Sequence, residues 1–177
     1  MILIRSARAC DALALGDLHA ASWRHAYRNA LSDTFLAGDI VTARRALWIS
    51  RLGEPAPHQH VLIAQRGSEM LGFACVYGDA DVLWGTFLNN LHVGPAHQRL
   101  GVGTALLRAC ARLCAKRCAH RGLHLMVLRS NADARRFYLR HGAQKHGESA
   151  WHAPDGGVQP LDHLAWKDVG QLCARLS

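Results

Sequence analysis

The residues best suited to binding a charged ligand form a short glycine-containing loop, 98–103, within the stretch Asn89–Leu107. A strand is expected to precede this loop and to end at Pro95, which has no N–H to donate to a sheet. A long helical pattern follows, with Gly101 and Gly103 at its start and no acidic residue in its first turn. Backbone N–H groups at a helix N-terminus lack partners, and glycines let a ligand approach them closely. We therefore expect the loop to bind an anion, most simply a phosphate group.

Two well-known phosphate-binding motifs are absent from the loop. The P-loop pattern, with a lysine before serine or threonine, does not occur, and Leu106 stands where the dinucleotide-binding fingerprint has its third glycine. Two glycines at a strand–helix junction are also compatible with a plain turn that binds nothing. The rest of the sequence has to decide between these two interpretations.

Two segments of the sequence have the composition and spacing of signature motifs. The first comprises Leu91, His92, Val93, Pro95, Gln98, Arg99, Leu100, Gly101, Val102 and Gly103. The second comprises Asn131, Ala134, Phe137, Tyr138 and Gly142. The first segment resembles the acetyl-CoA-binding motif of the GCN5-related N-acetyltransferases (GNAT family), and the second resembles another signature motif of the same family. Ala143 is a departure, since the family often has phenylalanine there, and we expect it to cost packing area rather than function. The order of helices and strands is also similar, so the resemblance extends over nearly the whole chain.

The resemblance implies a set of contacts with acetyl-CoA. Backbone N–H groups between Gln98 and Thr104 would hold the pyrophosphate, and the backbone of Leu91 and Val93 would pair with the pantetheine arm as an added strand does. The Val93 amide would polarise the acetyl carbonyl. The implied cofactor-binding residues are Leu91, His92, Val93, Gln98, Arg99, Leu100, Gly101, Val102, Gly103, Thr104, Asn131 and Tyr138.

Asn131 and Tyr138 are seven residues apart and therefore share one face of a predicted helix. Their residue types alone favour an N-cap asparagine and a core tyrosine. The resemblance implies in addition that Asn131 contacts the cofactor arm. It also implies that Tyr138 is a catalytic general acid, which protonates the departing CoA thiolate.

The general base that would accept a proton from the attacking amine is not evident in the sequence. Many relatives have a glutamate on the strand before the glycine loop, whereas residues 85–93 contain no carboxylate. His92 is the candidate catalytic base on this strand, because an imidazole with a pKa of about 6.5 accepts a proton at neutral pH. A packed or exposed strand histidine is the alternative. In that case His146, Glu148, Asp162 or a chain of water molecules would serve as the base.

Cysteines and basic residues are concentrated on the long helix. Cys110, Cys114 and Cys118 are spaced by four residues and form one stripe. A straight helix separates the first from the third by about 12 Å, so we expect core residues and no metal site. Most of the basic residues nearby are expected to face solvent, while some would meet the 3′-phosphate of CoA or an acidic partner. They are Arg108, Arg112, Lys116, Arg117, Arg121, Arg129, Arg135, Arg136 and Arg140.

Five aromatic residues are candidates for the wall of an acceptor site. Residues 21–28 resemble the first helix of bacterial members of the family, which lines that site. Core packing is the alternative for each aromatic residue taken singly. The candidates are Trp23, Tyr27, Trp48, Trp84 and Trp151.

The composition is that of one globular domain, 1–177. Half of the 177 residues are hydrophobic, and the formal net charge of +8 suits an anionic cofactor. Arginines interrupt the apolar residues of Met1–Arg8, which is not typical of a signal peptide, and no apolar run approaches the roughly 18 residues of a membrane span. We therefore expect a cytoplasmic protein without membrane contact, in which the six cysteines are reduced.

Hydrophobic periodicity predicts the element order βααβββαβαββ. We expect an α+β fold of the three-layer α/β/α type, in which a mixed, mostly antiparallel sheet of six to seven strands is flanked by about four helices. The predicted strands are 2–8, 60–65, 70–77, 86–93, 123–128, 145–151 and 161–167. The predicted helices begin after Asp11, after Asp39, at Gly101 and after Asn131, and end near Tyr27, before Gly53, near Arg121 and before Gly142.

Together these features predict an acetyl-CoA-dependent N-acetyltransferase, in which a primary amine attacks the thioester directly within a ternary complex. The acceptor stays open between a small amine, a polyamine, an amino acid and a protein N-terminus or lysine, and a homodimer is possible because dimers are common in the family. Aromatic residues typical of single-strand binders are missing from the basic region, which argues against a nucleic-acid partner. The alternative is a module that kept the fold without turnover and senses CoA or binds nucleic acid.

Overall fold

The computed structural model describes residues 1–118 and 122–177, in which seven strands form one mixed sheet. The strand order is β1-β2-β3-β4-β5-β7-β6, and every neighbouring pair is antiparallel except β4 and β5. The predicted mostly antiparallel sheet of six to seven strands is therefore confirmed. The strands are β1 Leu3–Ser6, β2 Gln59–Arg66, β3 Glu69–Asp81, β4 Gly85–Val93, β5 Leu123–Leu128, β6 Gln144–His152 and β7 Val158–Trp166.

Helices cover both faces of the sheet and give the three layers that the sequence predicts. One apolar cluster joins two helices to Val61, Ile63 and Phe73 on one face, and a larger cluster joins three helices to Leu62 and Leu71 on the other. Residues 61–64 of β2 are buried without alternation because this strand is covered on both sides. The helices are α1 Ala12–Ala26, α2 Asp33–Ala37, α3 Ile40–Gly53, α4 Val102–Arg117, α5 Ala132–Arg140 and α6 Val169–Arg175.

The described residues form six α-helices, where the sequence led us to expect about four. The short helix α2 is capped by Ser32, whose Oγ accepts the Phe35 N–H at 3.3 Å. The last helix, α6, is capped by Asp168 and buries Val169 and Leu172 against the core. Both helices are too short to show a sustained hydrophobic period, and caps and tertiary packing stabilise them instead.

The first long helix, α1, begins directly after Asp11, as predicted. Asp11 precedes α1 but does not cap it, because its carboxylate accepts hydrogen bonds from the Arg5 guanidinium and the Arg8 N–H. The long helix α4 ends at Arg117, and the backbone of Cys118 is extended. The predicted end near Arg121 lies outside the described residues. Within the described ranges, no helix combines the length and the apolar character needed to cross a membrane.

An irregularity in the middle of the sheet opens the space that a ligand needs. The register of β3 and β4 shifts where Cys75 pairs with Asn90 and Val76 pairs with Leu88, so Asn89 is the extra residue of a bulge. On its other side, β4 pairs with β5 only through Thr86 and Phe87. Beyond Phe87 the two parallel strands diverge, which leaves a cleft between their edges.

Candidate active site

The cleft between β4 and β5 has a volume of about 1810 Å³. This exceeds the roughly 300–1,000 Å³ of a site for one small molecule, so two substrates have room in it. Residues 88–93 of β4 and 125–128 of β5 form its sides, the glycine loop and α5 form one end, and α1 with α3 forms the other. Leu91 and Val93, both predicted to bind the cofactor, lie on the β4 side. Because β4 and β5 are unpaired along the cleft, their facing backbone groups are available to a ligand.

The glycine loop leaves the N-terminus of α4 open toward the cleft. Gly101, the N-cap residue, has a φ of 81°, and Arg99 has a φ of 61°, so the chain reverses sharply before the helix. No described side chain caps this helix, and its first backbone hydrogen bond joins the Ala105 N–H to the Gly101 carbonyl. The N–H groups of the first turn are therefore free, as an anion site requires.

The predicted loop residues do not all face the cleft with their side chains. Gln98, Arg99, Gly101 and Gly103 line it, together with Thr104. The side chain of Leu100 is exposed outside the cleft lining, and that of Val102 is buried in the core. For these two residues, only the backbone N–H groups remain as cofactor contacts.

Asn131 and Tyr138 both line the cleft from α5. The Oδ1 of Asn131 accepts the Ala134 N–H at 3.1 Å, which confirms the predicted cap and leaves the amide NH₂ group available to a ligand. Tyr138 is 7% exposed, and burial, then the nearby Tyr27 phenol, raises the pKa of its hydroxyl. The phenol therefore stays protonated at neutral pH and can act as a proton donor.

Two contacts of the first turn of α4 with the C-terminal part of α5 and its cap residue, His141, were not predicted from the sequence. A Cβ on Gly103 would lie 3.4 Å from the Phe137 ring, so a larger side chain there would press against α5. The His141 Nδ1–H donates to the Phe137 carbonyl at 2.8 Å, and its Nε2 lies 3.4 Å from the Thr104 hydroxyl. His141 lines the cleft as well, and its four-residue spacing from Phe137 was the only sequence signal for it.

His92 lies in the cleft wall, on the face of β4 that packs against α1. Its Nδ1 is 2.8 Å from the Ser22 hydroxyl, and its ring centroid is 4.6 Å from that of His19. Burial, followed by the charge of Arg44, lowers the pKa of His92 to about 4. The ring is therefore neutral at neutral pH, and its Nε2 has a free lone pair only if Nδ1 carries the proton and donates it to Ser22.

The sequence profile of the acetyltransferase (GNAT) family matches residues 20–143. The chain belongs to this family. The matched range contains the cleft strands, the glycine loop and α5, and membership makes the protein an acyltransferase. Among curated proteins, no sequence matches the chain significantly.

Solved GNAT structures share this fold at low sequence identity. A GCN5-related N-acetyltransferase from Rhodopseudomonas palustris has a TM-score of 0.74 and 20% identity, and the match covers 93% of this chain and 94% of that one. The PaiA N-acetyltransferase of Thermoplasma acidophilum, solved in complex with coenzyme A, has a TM-score of 0.70 and 20% identity over 92% and 98% of the two chains. YncA of Salmonella typhimurium, solved with acetyl-CoA, has a TM-score of 0.66 and 20% identity over 94% of each chain.

The other candidate bases of this GNAT protein lie outside the cleft. His146 stacks against Trp84, with ring centroids 4.6 Å apart, and Glu148 forms ion pairs with Arg129 and Lys145. Asp162 is fully buried on the α5 side of the sheet, where Arg129, Arg135 and Lys145 surround its carboxylate. None of His146, Glu148 and Asp162 lines the cleft, so their positions do not favour any of them as the base.

Three of the five candidate aromatic residues meet at the end of the cleft that α1 and α3 form. The Trp23 ring lies 5.3 Å from Tyr27 and 6.0 Å from Trp151, measured between centroids, and all three line the cleft. Trp48 is fully buried in the core below α1 and α3, and Trp84 packs against histidines on β6 and β7. Trp23, Tyr27 and Trp151, which we call the aromatic corner, form the apolar part of this wall.

The basic residues divide between the cleft and the outer surface. Arg99, Arg136 and Arg140 line the cleft near the glycine loop, where a nucleotide phosphate would find positive charge. Arg129 and Arg135 form ion pairs with Asp162 instead. The expectation of a largely solvated basic face missed these buried pairs, because Asp162 is far from both arginines in sequence.

The helix cysteines belong to the core of the molecule. Cys110 and Cys114 are fully buried, and burial raises the pKa of both thiols, that of Cys114 to about 12. Thiols held neutral in this way are poor nucleophiles. The described residues contain no group of three or more side chains that could hold a metal ion.

Proposed function

We propose that residues 1–177 form one N-acetyltransferase domain that transfers the acetyl group of acetyl-CoA to a primary amine. The observation that carries this proposal is the divergence of β4 from β5, with an uncapped helix N-terminus at one end of the gap. A long thioester with a phosphate group at one end matches such a gap. The relatives solved with coenzyme A or acetyl-CoA support the same donor.

The donor would bind mainly through backbone groups. The free N–H groups at the start of α4 would receive the pyrophosphate, with Arg99, Arg136 and Arg140 adding positive charge. The open edge of β4 would pair with the pantetheine amides, as an added strand does. The Asn131 NH₂ group would donate to the same arm from the opposite side.

Two groups would assist the bond changes during transfer. The Val93 N–H would donate to the acetyl carbonyl oxygen, where negative charge develops as the amine attacks. Tyr138 would protonate the departing thiolate, for which its raised pKa keeps the proton available. Because Cys110 and Cys114 are buried in the core, we propose direct attack by the amine in a ternary complex.

The missing glutamate on β4 changes how the amine loses its proton. His92 is the ionisable acceptor closest to Val93 in the cleft wall, but a pKa of about 4 makes it a weak base. The burial and the Arg44 charge that lower this pKa also destabilise a bound ammonium group. The acceptor would therefore lose its proton readily on binding, with His92 accepting it transiently or passing it to water.

The release of CoA thiol in the presence of purified protein, acetyl-CoA and a panel of amines tests this function. We expect saturable release that depends on both substrates, with intersecting rather than parallel lines in double-reciprocal plots. Parallel lines would contradict direct attack, because they indicate an acetylated enzyme. No release with any amine, together with tight and salt-sensitive binding of DNA or RNA, would instead support a module without turnover.

A further inference from the structure

Two arginines of α3 face the acceptor end of the cleft without an acidic partner. Arg44 and Arg51 both line the cleft, and within residues 1–118 and 122–177 neither forms an ion pair with a carboxylate. Arg45, the neighbour of Arg44 in sequence, does form an ion pair, since its Nε lies 2.6 Å from the Asp17 carboxylate on the outer surface. The uncompensated charge is therefore confined to the cleft side of α3.

Three buried nitrogen atoms near this charge have no described hydrogen-bond partner. They are the Nε2 of His19, the Nε1 of Trp23 and the Nε of Arg44. The Nδ1 of His19 accepts the Trp48 Nε1–H at 3.1 Å, so the neutral ring carries its proton on Nε2. All three atoms are therefore donors, in residues that line the cleft. Buried donors without partners are costly, and an oxygen-rich ligand group would satisfy them.

The charges around these donors indicate that a ligand group bound there would be an anion rather than a cation. The Arg44 guanidinium lies 4.4 Å above the Trp23 ring, and burial, then the Arg51 charge, lowers its pKa. Among the described residues, Asp133 is the one carboxylate that lines the cleft, and it lies at the opposite end, on α5. A polycationic acceptor would be repelled here, whereas an anion would relieve the repulsion between the arginines.

The anion position is close to the place of reaction. The rings of His19 and His92 are 4.6 Å apart, and His92 adjoins Val93, the proposed donor to the acetyl carbonyl. An amine that reacts beside Val93 could therefore place an anionic group near His19 only if few bonds separate the two. The aromatic corner lies next to both positions and would receive an apolar side chain.

We propose that the acceptor is a small amino acid-like molecule, in which Arg44 with the His19 and Trp23 N–H groups receives the carboxylate. The aromatic corner would hold its apolar side chain. The inference rests on the proposed function, since it names the acceptor class of that same reaction. It also accounts for the lack of acidic residues at this end, because the carboxylate would come with the substrate.

Matched acceptor pairs test the role of the carboxylate. CoA release is measured with the common amino acids and with their decarboxylated counterparts, such as tryptophan against tryptamine and leucine against 3-methylbutylamine. Spermidine and a short peptide with a free N-terminus are included. We expect kcat/KM for at least one apolar amino acid to exceed that of its counterpart by about 10-fold or more. Equal or better rates with tryptamine, spermidine or the peptide would overturn the inference and leave the N-acetyltransferase function intact.

Arg44→Gln and Arg45→Gln separate carboxylate recognition from a structural role. In Arg44→Gln, the ratio of kcat/KM for the amino acid to that for its counterpart should fall about 10-fold, while KM for acetyl-CoA changes little. A merely structural arginine would lower both rates and leave their ratio as it was. Arg45→Gln, on the outer surface, should leave this ratio unchanged.

Calorimetric titration of the CoA-loaded protein with the same acceptor pairs tests the carboxylate site separately from the N-acetyltransferase function. If no amine is turned over, carboxylate-dependent binding that Arg44→Gln abolishes would keep the anion site and refute the transferase function. Absence of both turnover and carboxylate-dependent binding would overturn both proposals.

Discussion

Tyr138 is the residue on which the proposed protonation step depends. Its phenol is buried in the cleft wall and has a raised pKa, so it remains protonated at neutral pH, as a general acid must. We expect Tyr138→Phe to lower kcat about 100-fold, in the range typical of a lost general acid, with acetyl-CoA affinity little changed. Steady-state kinetics and titration with acetyl-CoA measure the two effects.

Tyr77→Phe provides the matched control for this substitution. Tyr77 is half-buried on β3, where its hydroxyl donates to the Gln59 Oε1 at 3.3 Å, outside the cleft lining. The Tyr77→Phe substitution should leave kcat unchanged. A Tyr138→Phe enzyme with full kcat would remove the assignment, because phenylalanine has no proton to donate.

His92 links the stability of the protein to pH. Its pKa falls from 6.5 to about 4 on folding, so between these values the unfolded chain binds more protons than the folded one. The contribution of the neutral His92 ring to the free energy of unfolding is therefore fully present above pH 6.5. It is lost as the pH is lowered toward 4, and amounts to about 3 kcal/mol at 1.36 kcal/mol per pKa unit. Denaturant unfolding at several pH values should show a smaller loss in His92→Gln.

His25→Gln is the control for this measurement, because His25 is an exposed histidine on α1. We expect the same pH dependence as in the unmodified protein. If His92→Gln and His25→Gln gave identical curves of stability against pH, His92 could not be the source of the acid sensitivity.

Some residue-scale features could be predicted from sequence and others could not. The Asn131 cap was predictable because its hydrogen bond to Ala134 spans three residues, a local rule of helix N-termini. The contact of Ser22 with His92 joins residues 70 positions apart, and no local pattern encodes it. The same holds for Arg44, whose position over Trp23 depends on how α3 packs against α1.

At the scale of elements, the glycine loop contains residues with positive φ angles and also lines the path of the ligand. Gly101 has a φ of 81°, and a Cβ placed on it would meet no described heavy atom within 4 Å. Gly101→Ala should therefore cost about 1 kcal/mol of stability through the left-handed backbone alone. We also expect it to raise KM for acetyl-CoA about 10-fold, because Gly101 lines the cleft at the uncapped N-terminus of α4 and a methyl group there would narrow the space for the ligand.

Gly67→Ala separates these two effects. Gly67 also has a positive φ, of 58°, and open space around it, but it lies in the β2–β3 turn away from the cleft. A similar loss of stability with unchanged KM is expected there. Equal changes of KM in both variants would show that strain, rather than the ligand path, determines cofactor affinity.

The buried carboxylate of Asp162 connects α5 to the two tail strands. Although burial raises the pKa of this carboxyl, the hydrogen bond from Lys145, the charge of Arg135 and the hydrogen bond from Arg129 hold it below its usual value. Asp162→Asn should destabilise the protein by about 2 kcal/mol, since it weakens charge-assisted hydrogen bonds to a buried carboxylate, while water can partly solvate the partly exposed basic partners. Thermal and denaturant unfolding measure this loss. Glu148→Gln, which alters an exposed partner of Lys145 and Arg129, should lower stability much less, because solvent screens its ion pairs.

The whole sheet shows why the fold was predictable and the cleft was not. Apolar runs in β2, β3, β4 and β5 made these strands predictable from periodicity, whereas β6 is mostly polar and exposed. The divergence of β4 from β5 depends on pairing between strands separated by the whole of α4, with only Thr86 and Phe87 engaged. Periodicity along one strand carries no information about where a neighbour leaves it. The family resemblance supplied what the pattern of residues could not.

The partial pairing of β4 with β5 predicts how hydrogen exchange across the molecule changes when acetyl-CoA binds. If the pantetheine arm pairs with the open edge of β4, amide exchange at Leu88–Val93 should slow when acetyl-CoA binds, by more than global stabilisation explains. Binding at 100 times Kd adds about 2.7 kcal/mol to the free energy of unfolding, which slows globally exchanging amides alike. Residues 61–64 of β2, already paired on both sides, report that global part. Hydrogen exchange followed by mass spectrometry resolves the two regions. Equal slowing in both would mean that the donor stabilises the fold without adding to the sheet.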